Sequence, residues 1–600
     1  MGRYKSFFTQ VSCTFLAIIL VFYILNVTSI LQPVVYPLID RVTYSTPFVE
    51  KHFINKHLDQ ILILAITSLW FYLSVNTKIR YFLSSTYGLA ALLSVPEIIP
   101  SFGEILSLLS FPIIFALILL NRITKKHLIY FEKSIFIKLL SVLGIIIGIL
   151  GLAISVIQIT APTVSLPSIN YMYYFYLIFS LFSPILLIMI GLSFPIKMLV
   201  VKISNNKHKR NNTSHLFSIF LPFPLKVHIR ILSLVGIIAL ALVIVGIPHI
   251  HTVNKDNQII GSDTKDYERL LRNMSLSTSI SEFINAFIAQ IQEDRSLSLL
   301  TFFLLSQILD PSNLVNSLEL LPLVLAPLLI LSIYYVTMEL TSNHFTSILS
   351  SFLSAISFHV LIGMYGGLYA NWFTLIFVNL TILFLMRSLR RPSKGNMISF
   401  SVILSVVLLS HEPTWPIITL VILIFLTVIL IFKPYLKRTI YYLFLAIIPS
   451  FFIELFKTIV MKQSGVIKNV SFASSQGLGF HDVNTIWSNL IASTQTYLAG
   501  QFSNSIIFGL VIYWVSTCSL KDKSNILIII FLSIIILPIM FGDPEVISRV
   551  MYEIPFQIPA AIALTQLKKN YGNMLFITIC LWLVALSIRA SSNFYFDVPT

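Results

Sequence analysis

The chain has 600 residues, of which 56% are hydrophobic and only 11% charged. A soluble globular protein carries roughly 25% charged residues, so a water-soluble fold is excluded. The net charge of +16 is not a nucleic-acid footprint either, because the Lys and Arg lie scattered in short loops, as they do between membrane spans with a positive-inside bias.

Many apolar runs are about 18 to 23 residues long, enough to cross a hydrocarbon core of about 30 Å. The first, Val11 to Leu31, is too long for a signal-peptide core and lacks a small-residue cleavage site. It reads as a retained span, with Arg3 and Lys5 holding the N-terminus in the cytoplasm. Further spans are predicted near 58–76, 81–99, 104–121, 138–160 and 171–200, so residues 1–200 form an N-terminal module of about six spans. Residues 201–229 are polar and strongly basic, with Lys202, Lys207, Lys209, Arg210 and Lys226. They read as a cytoplasmic linker that also touches anionic lipid.

The third region, 230–600, begins with a span over 231–250 that leaves the cytoplasm. The polar stretch Gly261-Ser262-Asp263-Thr264-Lys265-Asp266-Tyr267 therefore falls outside. Ser262 or Asp263 can cap a helix here, and Tyr267, Leu270, Leu271 and Met274 follow at helical spacing, so that one face can lie on the membrane. A second amphipathic helix is predicted over 280–291, and 297–309, too short to span, is expected at the membrane surface. Basic loops then thread the rest. Residues 386–394, 433–438, 521–523 and Lys568-Lys569 lie inside, and the C-terminus lies outside. The whole makes an all-α polytopic membrane protein of about 17 transmembrane helices. Cys13, Cys518 and Cys580 lie in or beside apolar runs without metal-ligand spacing and read as core residues.

Four polar clusters fall on the outer side of this threading. They are Asp263 with Asp266; the loop Gly363 to Trp372, with Tyr365, Tyr369 and Asn371; the turn His411-Glu412-Pro413-Thr414-Trp415; and Asp543 to Arg549. Asp263 is either a helix cap or a base that takes a proton from a hydroxyl. Asp266 either lines a site or complements the helix dipole. Arg549 either snorkels to the interface or binds a phosphate with its planar fork. His411 and Glu412, costly at bilayer depth unless used or paired, are a second base, sugar ligands or a hydrogen-bonded helix end. Trp372 and Trp415 either stack on a sugar or belong to the interfacial aromatic belt. Gly366-Gly367 reads as a turn, and Asp543 and Glu545 as turn residues.

Gly261-Ser262-Asp263 through Tyr267, then Tyr335 to Thr341, Ser350 to Phe358, Gly363 to Gly367, Leu409 to Thr414 and Ser548-Arg549 to Pro559 together resemble the GT-C superfamily of polytopic glycosyltransferases. That superfamily includes protein O-mannosyltransferases, aminoarabinose transferases and oligosaccharyltransferases. The resemblance covers about 230–600 and is one of pattern and topology. It implies a GT-C-like bundle with extracytoplasmic juxtamembrane helices, and transfer of a sugar from a polyprenyl-phosphate donor to a hydroxyl acceptor. Asp263 would be the base and Arg549 would bind the donor phosphate. Asp266, Tyr267, Tyr365, Tyr369, Asn371, His411, Glu412 and Trp415 would line the substrate site. The partners implied are the lipid-linked donor, a glycan, lipid or protein acceptor, and membrane lipid, with no nucleic acid. No cofactor is indicated, and the residues name no metal site. Two departures matter. The loop 363–371 lacks the second acidic residue that many members carry, and the Trp-Trp-Asp-Tyr-Gly signature of oligosaccharyltransferases is absent. The second points away from transfer of a whole glycan to asparagine. The competing expectation is a transporter or lipid flippase, which predicts ionisable residues in mid-span and a repeat relating two halves.

Overall fold

Apolar run length and side-chain caps together set the helix boundaries. The computed structural model describes residues 227–251, 253–254, 259–276, 279, 282, 295–310, 313–463, 483–494 and 504–593, with 183–198 and short stretches within 86–153. Seventeen helices are labelled here from residue 227 onward. α1 is Val227–Gly246, prolonged by a 3-10 turn, Ile247–His249. α2 is Thr264–Ser275, α3 Ser296–Leu309, α4 Leu314–Thr341, α5 His344–Ala355, α6 Phe358–Tyr365 and α7 Tyr369–Arg390. α8 is Lys394–Ser410, α9 Thr414–Phe432, α10 Lys437–Gln463, α11 Val483–Ala492 and α12 Asn504–Thr517. α13 is Lys523–Ser533, α14 Ile536–Phe541, α15 Pro544–Glu553, α16 Gln557–Tyr571 and α17 Asn573–Asn593.

Short polar residues start these helices where the sequence places them. Asn313, Asn343, Ser393 and Asp522 each accept a backbone N–H of the first turn of α4, α5, α8 and α13. Seven helical stretches among the described residues are long and apolar enough to cross a membrane, and four apolar helices are shorter. The chain is an all-α, multi-pass membrane protein. The spans predicted before residue 171 and the amphipathic helix over 280–291 lie almost wholly outside the described residues.

The bundle is centred on α4 and α7, with α5 and α8 against them and α16 between α5 and α12. All of these elements belong to one contact unit, Leu143–Tyr595; the other unit is Met1–Val142 with Phe596–Thr600. Small residues allow the close packing. Ser347, Ser350, Ser351 and Ser354 of α5 are buried, and Ser351 donates to the Ile330 carbonyl of α4 at 3.1 Å. The stretch 183–198, placed by the sequence in the N-terminal module, packs on this bundle: Leu187 and Ile190 join its core, and Ser193 bonds Ser533 at 3.2 Å.

Residues His344–Tyr365 make one apolar stretch long enough to span, in two helices broken at Ile356-Ser357, where Ser357 caps α6. The break is hidden in the sequence because the apolar run continues through it. The apolar face of α2 does not lie on lipid: Tyr267, Leu271 and Met274 are buried in the protein core, where α2 packs on α3 and α4. α3, too short to span, is built into the bundle, with Leu299 and Phe302 fully buried. Ser298 donates to the Ser410 carbonyl at 2.6 Å.

Candidate functional site

The segment before α2 is docked on the turn between α6 and α7. Ser262 donates its backbone N–H to the Tyr365 carbonyl at 3.0 Å and its hydroxyl to the Gly366 carbonyl at 2.9 Å. Two glycines make this approach possible. Gly367 has φ +64°, and a Cβ there would stand 2.9 Å from the Asp263 nitrogen. Gly261 has φ +94°, and a Cβ there would stand 2.9 Å from the Met364 carbonyl oxygen. Only glycine takes such backbone angles without strain. The Gly366-Gly367 turn is thus the seat of Asp263.

Asp263 occupies the cap position of α2, yet its carboxylate bonds no backbone N–H of the helix. Its side-chain partner is the Ser262 hydroxyl, at 3.3 Å. The carboxylate is therefore not consumed by capping. Burial pushes its pKa above the ordinary aspartate value, against the pull of Arg295, the Ser262 hydroxyl and Arg549; Asp266 adds a small upward push.

Arg295, just before α3, was not singled out by the sequence. Its guanidinium donates to the Tyr267 hydroxyl at 2.9 Å, which also accepts the Ala370 N–H at 3.1 Å. The available signal was a lone cation opening an apolar run on the same side as Asp263. Asp266 is exposed and pairs with Arg269 at 3.2 Å, one turn along α2. The expected substrate tyrosines are turned to the protein. Tyr365 is buried and donates to the Ser591 carbonyl, and the Tyr369 hydroxyl shares a 3.0 Å bond with Thr264. They hold the seat of Asp263 in place.

A second cluster forms where α8 meets α9. His411 Nδ1 lies 2.7 Å from Thr414 Oγ1, and the Thr414 hydroxyl donates to Glu553 Oε1 at 2.5 Å. All three side chains are buried. Burial drives the His411 pKa well below the usual histidine value, helped by Arg295 and Arg549. Burial also pushes the Glu553 carboxyl up to about 8, opposed by the Thr414 hydroxyl, the Asn371 amide and Arg549. Asn371, near the start of α7, reaches this cluster as an expected site residue. Glu553 was not foreseen, and Thr414 was read only as part of the His411 turn, with no role of its own. One signal was available: Glu553 lies four residues after Arg549, so a helix there puts both on one face. The stretch was read as a loop, and it is α15.

Glu412 is paired with Lys457 of α10, and the Trp415 ring packs edge-on against Phe451 at 4.9 Å. Trp372 is fully buried against Gly363, where an added Cβ would collide with its ring, so it is a core residue and not a sugar platform. Asp543 caps α15, accepting from the Val546 N–H at 2.8 Å. Among the described residues no three His, Cys, Asp or Glu side chains gather closely enough to hold a metal ion.

Arg549 is what joins the two clusters. Its charge acts on Asp263, His411 and Glu553 together, and Arg295 acts on both Asp263 and His411. Segments near residues 263, 295, 411 and 549 thus share one electrostatic neighbourhood. A half-buried carboxylate within the electrostatic reach of two guanidinium groups can take a proton while the arginines favour an anion.

No family model and no curated protein matches the chain. Among solved structures, the chain is similar to the archaeal oligosaccharyltransferase AglB from Archaeoglobus fulgidus, in complex with an inhibitory peptide and a dolichol-phosphate. The TM-score is 0.38 at 12% identity, covering 61% of this chain and 55% of that one. The likeness is remote, and the chain spans about half the length of that structure.

Proposed function

We propose that the protein transfers one sugar from a polyprenyl-phosphate carrier to a hydroxyl acceptor on the outer face of the membrane. Asp263 takes the acceptor proton as the acceptor oxygen bonds to the anomeric carbon. The carbon–oxygen bond to phosphate breaks in the same step, and the polyprenyl phosphate leaves with the electron pair. A single displacement inverts the anomeric centre. Arg549 holds the phosphate and stabilises the charge that grows on it, with Arg295 adding to the field. A raised Asp263 pKa suits the task, since a base works best when its pKa lies nearer the operating pH.

The observation that carries this reading is the state of Asp263. It sits at a helix start without capping it, seated on a glycine turn and faced by two arginines. The outer-face assignment rests on the basic loops of the threading.

The test is release of polyprenyl phosphate from a panel of synthetic polyprenyl-phosphate hexoses, in membranes carrying wild type or Asp263→Asn. Loss of a general base lowers the rate by about 10²- to 10⁴-fold. Undiminished turnover in the variant would remove Asp263 from this role.

A further inference from the structure

The His411 cluster has a hydrogen-bond polarity that can be worked out from its donors. Thr414 has one hydroxyl hydrogen, and it is directed to Glu553 Oε1 wherever that oxygen is free of the carboxyl proton and accepts. The Thr414 oxygen is then left as an acceptor towards His411 Nδ1. The imidazole must supply that hydrogen, so Nδ1 carries the proton. The ring is buried and faced by Arg295 and Arg549, an environment that keeps it neutral. A neutral ring protonated at Nδ1 has a bare lone pair at Nε2.

One atom of this chain of three is left over: His411 Nε2 is buried with no hydrogen-bond partner among the described residues, whereas the Glu553 carboxyl also meets the Asn371 amide. Leaving a buried polar atom unpaired costs about 1–3 kcal/mol, so such atoms in a native protein point to a ligand or to function. His411 Nε2 shares the electrostatic neighbourhood of Asp263 and the two arginines.

We propose that His411 Nε2 accepts a hydrogen bond from a hydroxyl of the bound sugar substrate, and that Thr414 and Glu553 are positioning residues that fix the imidazole in the tautomer this requires. The inference rests on the sugar-transfer reading for the nature of the ligand, and on Glu553 Oε1 accepting from Thr414 for the tautomer. It gives the site an acceptor of fixed direction, able to reject a sugar that lacks the matching hydroxyl. Glu553 acts through Thr414 and touches no substrate.

The test uses the full chain, labelled with 15N-histidine in lipid bilayers. The His411 signals are assigned by their loss in His411→Gln. Solid-state NMR of the wild type is expected to show a protonated Nδ1 and a bare Nε2. Glu553→Gln keeps an acceptor for the Thr414 hydroxyl and leaves this pattern unchanged. Glu553→Leu frees that hydroxyl to donate to Nδ1, so population moves to the Nε2-protonated ring. With polyprenyl-phosphate hexose as substrate, Glu553→Leu raises KM by up to about tenfold with kcat little changed, and Glu553→Gln restores KM. A wild-type ring protonated at Nε2, or a tautomer indifferent to Glu553→Leu, overturns the positioning claim. The tautomer readout needs no turnover, so the positioning device and the sugar-transfer reading fail on separate results.

Discussion

The two ends of α7 are built on opposite rules. At the Arg390 end two arginines are tied to one glutamate. Glu339 of α4 pairs with Arg387 and with Arg390, each at 3.2 Å, and Arg390 also donates to the Leu340 carbonyl and the Ser524 hydroxyl. These guanidinium groups are about a third to two-fifths exposed, at 32% and 42%. At the Tyr369 end, about 33 Å away along a 22-residue helix, charged and polar groups are buried and some of their hydrogen-bonding atoms are unfilled. The first end fastens α4 to α7 and to the start of α13. The second gives up stability to bury Asp263 and His411 away from water and to hold the Glu553 carboxyl protonated up to about pH 8. Such local violations of packing rules are expected where a protein does chemistry.

This contrast can be broken at the site end first. Gly367→Ala puts a Cβ at positive φ and against the Asp263 backbone. It is expected to cost about 1–3 kcal/mol of stability, and the displaced Asp263 seat costs more than tenfold in sugar turnover. Thermal unfolding in detergent and the polyprenyl-phosphate release assay measure the two effects.

Glu553→Gln tests the price of burial. The Glu553 carboxyl has its pKa raised from 4.5 to about 8 in the folded protein. Folding therefore favours the protonated form. The contribution is fully present below pH 4.5 and is lost as pH rises through about 8. Wild-type stability is expected to fall across that window. Glu553→Gln, which cannot ionise, loses this dependence and gains on wild type at pH 8, with the gap closing towards pH 5. Unfolding midpoints at the two pH values check the sign.

The smallest effect is expected at the far end. Glu339→Gln removes a partly exposed ion pair and costs about 1 kcal/mol or less, with sugar turnover unchanged. A large loss of turnover there would mean that the two ends are coupled through α7.

Much of the fold was legible because apolar run length and cap residues are local signals. The basic loop 386–394, which holds Ser393, and the Lys568-Lys569 pair mark helix ends that the structure keeps. The break at Ile356-Ser357 was not legible, since a serine inside an apolar run reads equally well as a small packing residue. In the site, Asp263 and Arg549 stood out within short polar clusters at the ends of apolar runs. Their surroundings did not, because they come from far along the chain. The Ser262 hydroxyl meets Gly366 across 104 positions, and Thr414 meets Glu553 across 139. Gly366-Gly367 therefore read as a plain turn, and Glu553 was not singled out.

The central claim is that the half-buried Asp263 carboxylate is the proton acceptor in sugar transfer. The most direct measurement is the pH dependence of polyprenyl-phosphate release by wild type and by Asp263→Asn. The wild-type rate should rise with pH through a midpoint above the ordinary aspartate value, and the small residual rate of Asp263→Asn should lack that rise. The same acidic limb in both proteins, or equal rates at neutral pH, would contradict the account.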